Sequence, residues 1–68
     1  MRSIIPIATC EKILRKQGAE RVSFGGSEAL SKVLEEIAVK ISKKAIDLAR
    51  HTGRKTIKAK DIELAKEN

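Results

Sequence analysis

The residues with most to offer chemically sit in two short segments, 19–23 (AERVS) and 52–58 (TGRKTIK). In each, basic side chains accompany a β-branched apolar residue flanked by a hydroxyl: Arg21, Val22 and Ser23 in the first, Lys55, Thr56, Ile57 and Lys58 in the second. Such groups beside a helix start suit anions, because the first backbone N–H groups lack intrahelical acceptors and the helix dipole is positive there. Lys55 and Lys58, with Ser23 and the helix-start amides, are set to meet phosphates. Taken singly, Arg21 reads as an ordinary surface arginine and each lysine as a solvated one.

Catalysis has little to stand on. No Ser, His and Asp set carries supporting motifs, and Gly25-Gly26 is too short for a phosphate-cradling loop. The single histidine, His51, and the single cysteine, Cys10, lie far apart in sequence and give no metal-ligand spacing. The expectation is a binding protein with no cofactor, no metal and no small-molecule substrate.

Charge points to the class of partner. Fifteen Lys and Arg stand against nine Asp and Glu, a net charge of +6 in 68 residues, with a pI near 9.8. The chain is 35% charged yet 41% hydrophobic, which describes a folded basic domain rather than a disordered tail. A polyanion, most commonly nucleic acid, fits that balance. Solubility is the plainer reading, and proteins of thermophiles are also rich in Lys, Glu and Ile. The N-terminal MRSIIPIATC has a short apolar run broken by Pro6, too brief for a signal-peptide core or a membrane span. One free thiol without a disulfide partner fits a reducing compartment, so a cytoplasmic protein is expected.

Three helices must position the two segments. The first, about 4–17, places Ile7, Cys10, Ile13 and Leu14 at helical spacings, with Pro6 in its first turn and Gly18 as its cap. The second covers about 24–51, and its body from Glu28 to His51 contains no Gly and no Pro. Gly25 and Gly26 make the turn before Glu28 weak, each costing up to about 1 kcal/mol relative to alanine in a helix interior. Ser23 is placed to cap this helix. The third, about 59–66, turns Ile62 and Ala65 inward after a cap at Gly53.

The body of the second helix measures roughly 36 Å at about 1.5 Å per residue, whereas a compact 68-residue globule is only about 28 Å across. Its main apolar stripe runs through Leu30, Leu34, Ile37, Ile41, Ala45 and Leu48, with Val39 and Ile46 on nearly the opposite side. A helix wanted on two faces is central, and the two flanking helices are expected over Val39 and Ile46. So short a chain buries only about 60% of its unfolded surface, which makes partnership a common route to stability.

With these residues in view, the chain resembles an archaeal histone, the minimal and tail-less histone fold. The resemblance runs from about Ile5 to Ala65 and is most specific in GAERVS at 18–23, ARHTGRKTIKA at 49–59 and Asp61-Ile62-Glu63. It implies one all-α domain over residues 1–68, with short, long and short helices and two short loop strands. It also implies a head-to-tail handshake homodimer, with Leu30, Leu34, Ile37, Ile41 and Leu48 in the dimer core and each first loop beside the partner's second. Double-stranded DNA would be bound, bent and compacted without sequence preference, in the cytoplasm on the chromosome (nucleoid).

By the same resemblance Arg21 enters the minor groove, held by Thr56, and Lys12 and Arg15 contact the backbone alongside Ser23, Lys55 and Lys58. Arg54 and Asp61 form a structural ion pair, and Leu48, His51 and Asp61 join dimers into tetramers or stacked multimers. The chain departs from the family pattern at Thr9 and Cys10, at residues 24–26, and at Val39, where a DNA-facing arginine is common. Val39 motivates an alternative of another class, a histone-fold interaction subunit that pairs with a different chain and wraps DNA less.

Overall fold

The structure, a computed structural model, describes residues 4–67. It contains α1 (Ile7–Lys16), α2 (Phe24–His51) and α3 (Ala59–Glu67), and among the described residues no strand. Two compact units divide the chain, the first ending at Glu36 and the second beginning at Ile37. α2 runs through that boundary as one helix of 28 residues, about 42 Å long at 1.5 Å per residue.

In the first unit, α1 begins at Ile7, three residues later than the expected start at Ile4. Pro6 stands at the N-cap with φ −59° and ψ 130° rather than inside the first turn. The two residues before it are engaged elsewhere. Ile4 N–H donates to Glu35 Oε1 at 2.8 Å, and Ser31 Oγ donates to the Ile5 carbonyl at 2.7 Å, so this segment is fastened to α2. At the other end Gln17 is the C-cap. Gly18, at φ 112°, donates to the Arg15 carbonyl and Ala19 to the Leu14 carbonyl, the paired closing bonds of a Schellman turn.

α2 begins at Phe24, not later as its two glycines suggest, because Ser23 caps it. Ser23 Oγ accepts the Gly26 N–H at 3.0 Å and the Ser23 carbonyl accepts the Ser27 N–H at 3.2 Å. The side chain thereby satisfies a backbone donor of the first turn. Cys10, Ser27 and Ser31 are the buried residues of this unit. Ser27 Oγ has no hydrogen-bond partner among the described residues.

The second unit repeats the turn. Gly53, at φ 71°, donates to the Arg50 carbonyl and Arg54 to the Ala49 carbonyl, both at 2.9 Å. α3 then packs so that Ala45, Ala49, Asp61 and Ala65 are buried. Where α2 is covered, it presents small side chains: Ser27 and Ser31 in one unit, Ala45 and Ala49 in the other. Small residues let helices approach closely, and this corrects the expected placement of the flanking helices. Val39 and Ile46 stay exposed, since the short helices settle on the small-residue face instead.

Among the described residues no Val, Leu, Ile or Phe is buried. Leu30, Leu34, Ile41 and Leu48 are half-buried, while Ile37 and Val33 remain 49% and 48% exposed. Fully burying one such side chain is worth about 1.5–3 kcal/mol, so much of the stabilisation available to this sequence is unrealised in a lone chain.

The glycines allow a paired stability test. Gly53→Ala puts a side chain into the left-handed region and is expected to cost about 1–2 kcal/mol. At Gly25 the backbone is helical and an added Cβ meets nothing within 4 Å, so Gly25→Ala is expected to gain up to about 1 kcal/mol. Thermal melts of both variants measure the opposite shifts.

Candidate nucleic-acid interface

The two segments between helices are loop 1 (19–23) and loop 2 (52–58), and loop 2 is held by one arginine. Arg54 reaches Asp61 with two parallel bonds, Nη2 to Oδ1 at 2.8 Å and Nη1 to Oδ2 at 3.0 Å. Nη1 also donates to the Thr56 carbonyl at 3.1 Å, and Nε donates to Thr52 Oγ1 at 3.0 Å. Thr52 Oγ1 in turn donates to the Ala49 carbonyl at 3.0 Å. Asp61 Oδ2 accepts the Lys58 N–H at 2.8 Å, the reciprocal half of a capping box in which the third helical residue caps the residue before the helix. A planar fork on a carboxylate fixes direction as well as distance. The guanidinium therefore ties the end of α2, the middle of loop 2 and the start of α3 together.

Asp61 is only 2% exposed. Its hydrogen bonds from the Arg54 side chain and the Lys58 N–H lower its pKa from 3.8 to about 2, against the opposing effect of burial. The same pair raises the pKa of Arg54. Most of the Arg54 donors are thus used within the chain. The groups that loop 2 turns outward are Lys55, the Thr56 side chain and Lys58, all exposed.

Loop 1 has the same opening turn and the same spacing to the next helix, but the cap is reversed. Here the residue before the helix, Ser23, supplies the side-chain oxygen, so that oxygen is occupied by Gly26 N–H and only its O–H remains to donate outward. Arg21 is exposed, and Val22 is half-buried. On α1, Lys12 is exposed, and Arg15 pairs with Glu11 through Nε to Oε2 at 3.2 Å. Such an exposed pair one helical turn apart is worth only about 0.3–0.5 kcal/mol, little resistance to a competing phosphate.

The first unit thus holds Lys12, Arg15, Arg21 and Ser23, and the second holds Lys55, Thr56 and Lys58. His51 is exposed and Leu48 half-buried, whereas both oxygens of Asp61 already accept bonds inside the chain. Sequence reasoning missed Thr52, whose place between a helix end and Gly53 is the signal for it. It also missed Glu35 and Ser31 as anchors of the N-terminal segment, which nothing in their spacing announces.

Residues 3–65 match the family model described as histone-like transcription factor (CBF/NF-Y) and archaeal histone. The chain belongs to this family. It is 52% identical over 61 residues to a HAN1 archaeal histone subunit of Thermococcus zilligii, covering 90% of this chain and 91% of that one. It is 46% identical over 61 residues to probable archaeal histone 3 of Methanocaldococcus jannaschii, with the same coverage. The three helices are the short, long and short helices of the all-α histone fold. Membership brings the family's general role of DNA binding and compaction, a structural role rather than an enzymatic one, and its general habit of forming dimers. No helix among the described residues is long and apolar enough to cross a membrane.

The depressed pKa of Asp61 has a definite sign. The folded state holds this proton less tightly than the unfolded chain, so the pair contributes stability above about pH 4, lost as pH falls toward 2. Asp61→Asn keeps the shape and removes the charge. Chemical denaturation at a series of pH values is expected to show a weaker protein near neutrality and a shallower loss of stability between pH 4 and 2.

Proposed function

We propose that two copies of this chain pair head to tail into a handshake dimer that binds and bends double-stranded DNA without sequence preference. The observation that carries the reading is the open face of α2. Leu30, Leu34, Ile37, Ile41 and Leu48 form one stripe at helical spacing, and none is buried. A second α2 laid across the stripe supplies what α1 and α3 do not. In such a pair loop 1 of one protomer lies beside loop 2 of its partner, with the extended residues around Val22 and Ile57 edge to edge. Arg21 then enters the minor groove with Thr56 of the partner subunit holding it, while Lys55, Lys58, Lys12, Arg15 and the hydroxyl of Ser23 meet phosphates. Leu48 and His51 are the contacts through which dimers join into tetramers or longer stacks on the chromosome of the nucleoid, whereas Asp61, expected beside them, is 2% exposed and holds Arg54 instead.

The alternative of a heteromeric subunit draws support from a relative whose own name calls it one subunit of a larger protein. Sedimentation of the purified chain separates the two. A stable dimer supports the homodimer. A monomer or aggregate that becomes a dimer only on addition of a different histone chain favours the heteromer. Ile37→Glu places a charge in the proposed interface and is expected to shift the dimer to unfolded monomer.

DNA binding has its own test. Affinity for random-sequence duplex is expected to fall steeply with salt, log K losing about 0.9 per unit of log salt for each phosphate neutralised. Arg21→Ala is expected to weaken binding to all sequences alike and to make that slope shallower by about 1. Binding that ignores salt, or no binding to random duplex, ends the reading.

A further inference from the structure

Phe24 is the only aromatic residue of the chain. It is the first residue of α2, directly after the capping Ser23, and 70% of it is exposed. An aromatic ring is among the largest apolar surfaces a side chain can bury, and here the chain leaves most of it in solvent. The two glycines that follow lower helix stability. At Gly25 nothing inside the chain asks for a glycine, because its backbone is helical and the space around an added Cβ is empty. A bare backbone in open space serves the close approach of something from outside. Gly26 has an internal reason, because a Cβ there would lie 3.2 Å from the capping Ser23 Oγ, but Gly25 gives up propensity without an internal gain, which marks a place where function overrides local stability.

The charges around the ring say what kind of contact it makes. Arg21, three residues earlier, is exposed and is the candidate for the minor groove, but Glu20 and Glu28 are exposed on either side. The turn therefore brings no surplus of positive charge, and what it adds beside the arginine is apolar surface. Minor-groove proteins commonly pair basic side chains with apolar ones, Phe among them, that reach into the groove and bear on the base steps. We propose that Phe24 is an apolar DNA contact, its ring lying against the wall of the minor groove entered by Arg21. This rests on the DNA-binding reading given above. Because an apolar contact releases no counterions, its share of the affinity is independent of salt, unlike that of Arg21.

The test measures duplex affinity across a salt series for the unaltered protein, Phe24→Ala and Arg21→Ala. Phe24→Ala is expected to lose roughly fivefold to tenfold at every salt concentration, as removal of a modest apolar contact predicts, with an unchanged slope of log K against log salt. Phe24→Trp introduces the sole Trp into a chain that has no Trp and no Tyr, and duplex DNA is expected to shift and quench its emission. Unchanged affinity in Phe24→Ala together with an unresponsive tryptophan overturns the proposal while the DNA-binding reading stands. A change in salt slope equal to that of Arg21→Ala overturns it too, by assigning the loss to charge. If Phe24→Ala alters sedimentation in the absence of DNA, the ring belongs to an interface between copies and the proposal fails. Absence of duplex binding by the unaltered protein removes both readings. Should Phe24→Ala lose helicity by circular dichroism, the Phe24→Trp emission decides alone.

Discussion

Ten residues of α1 and nine of α3 cannot cover the 28 residues of α2. That mismatch is the constraint from which the other features of the chain follow. The short helices come down where α2 offers Ser27, Ser31, Ala45 and Ala49, because small side chains permit close approach. The bulky aliphatics are left on other faces. A sequence with no buried Val, Leu, Ile or Phe among its described residues has put its largest hydrophobic contribution into contacts that need another molecule. Small domains commonly solve their shortage of core in this way, and here the remedy is concentrated on one helix.

The loops answer a second demand, that basic groups be held still without being used up. Arg54 spends most of its donors on Asp61, the Thr52 hydroxyl and the Thr56 carbonyl. Lys55, and Lys58, which joins that network only through its backbone N–H, remain exposed. Loop 1 reaches a similar backbone path with less: a Schellman turn at Gly18 and one serine cap. The loop with the simpler scaffold is the one whose arginine, Arg21, is left exposed.

Much of this was legible in the sequence. The length of α2, both capping glycines and the Ser23 cap leave local marks, since turn chemistry acts over a few residues, whereas the Arg54–Asp61 pair was implied only by the family resemblance. What could not be read was set by contacts distant along the chain. Ile4 and Ile5 bond to Glu35 and Ser31 ahead of α1, and although Pro6 disfavours helix at Ile5, no pattern within those residues foretells these partners. The face chosen by the short helices was also hidden. Periodicity ranks faces by hydrophobicity, whereas helix contact here is decided by side-chain size, and serines at a helix–helix contact look polar to any such projection.

Cys10 draws one further thread from this packing. It is fully buried in the first unit, and it is the chain's only thiol. A thiol reagent can reach it only when its surroundings open, so the rate of labelling is a clock for local opening in that half of the molecule. The second half keeps its own gauge in the acid titration of Asp61. One chain without tags or dyes therefore carries two independent reporters, and the order in which its halves come apart can be read by chemistry alone.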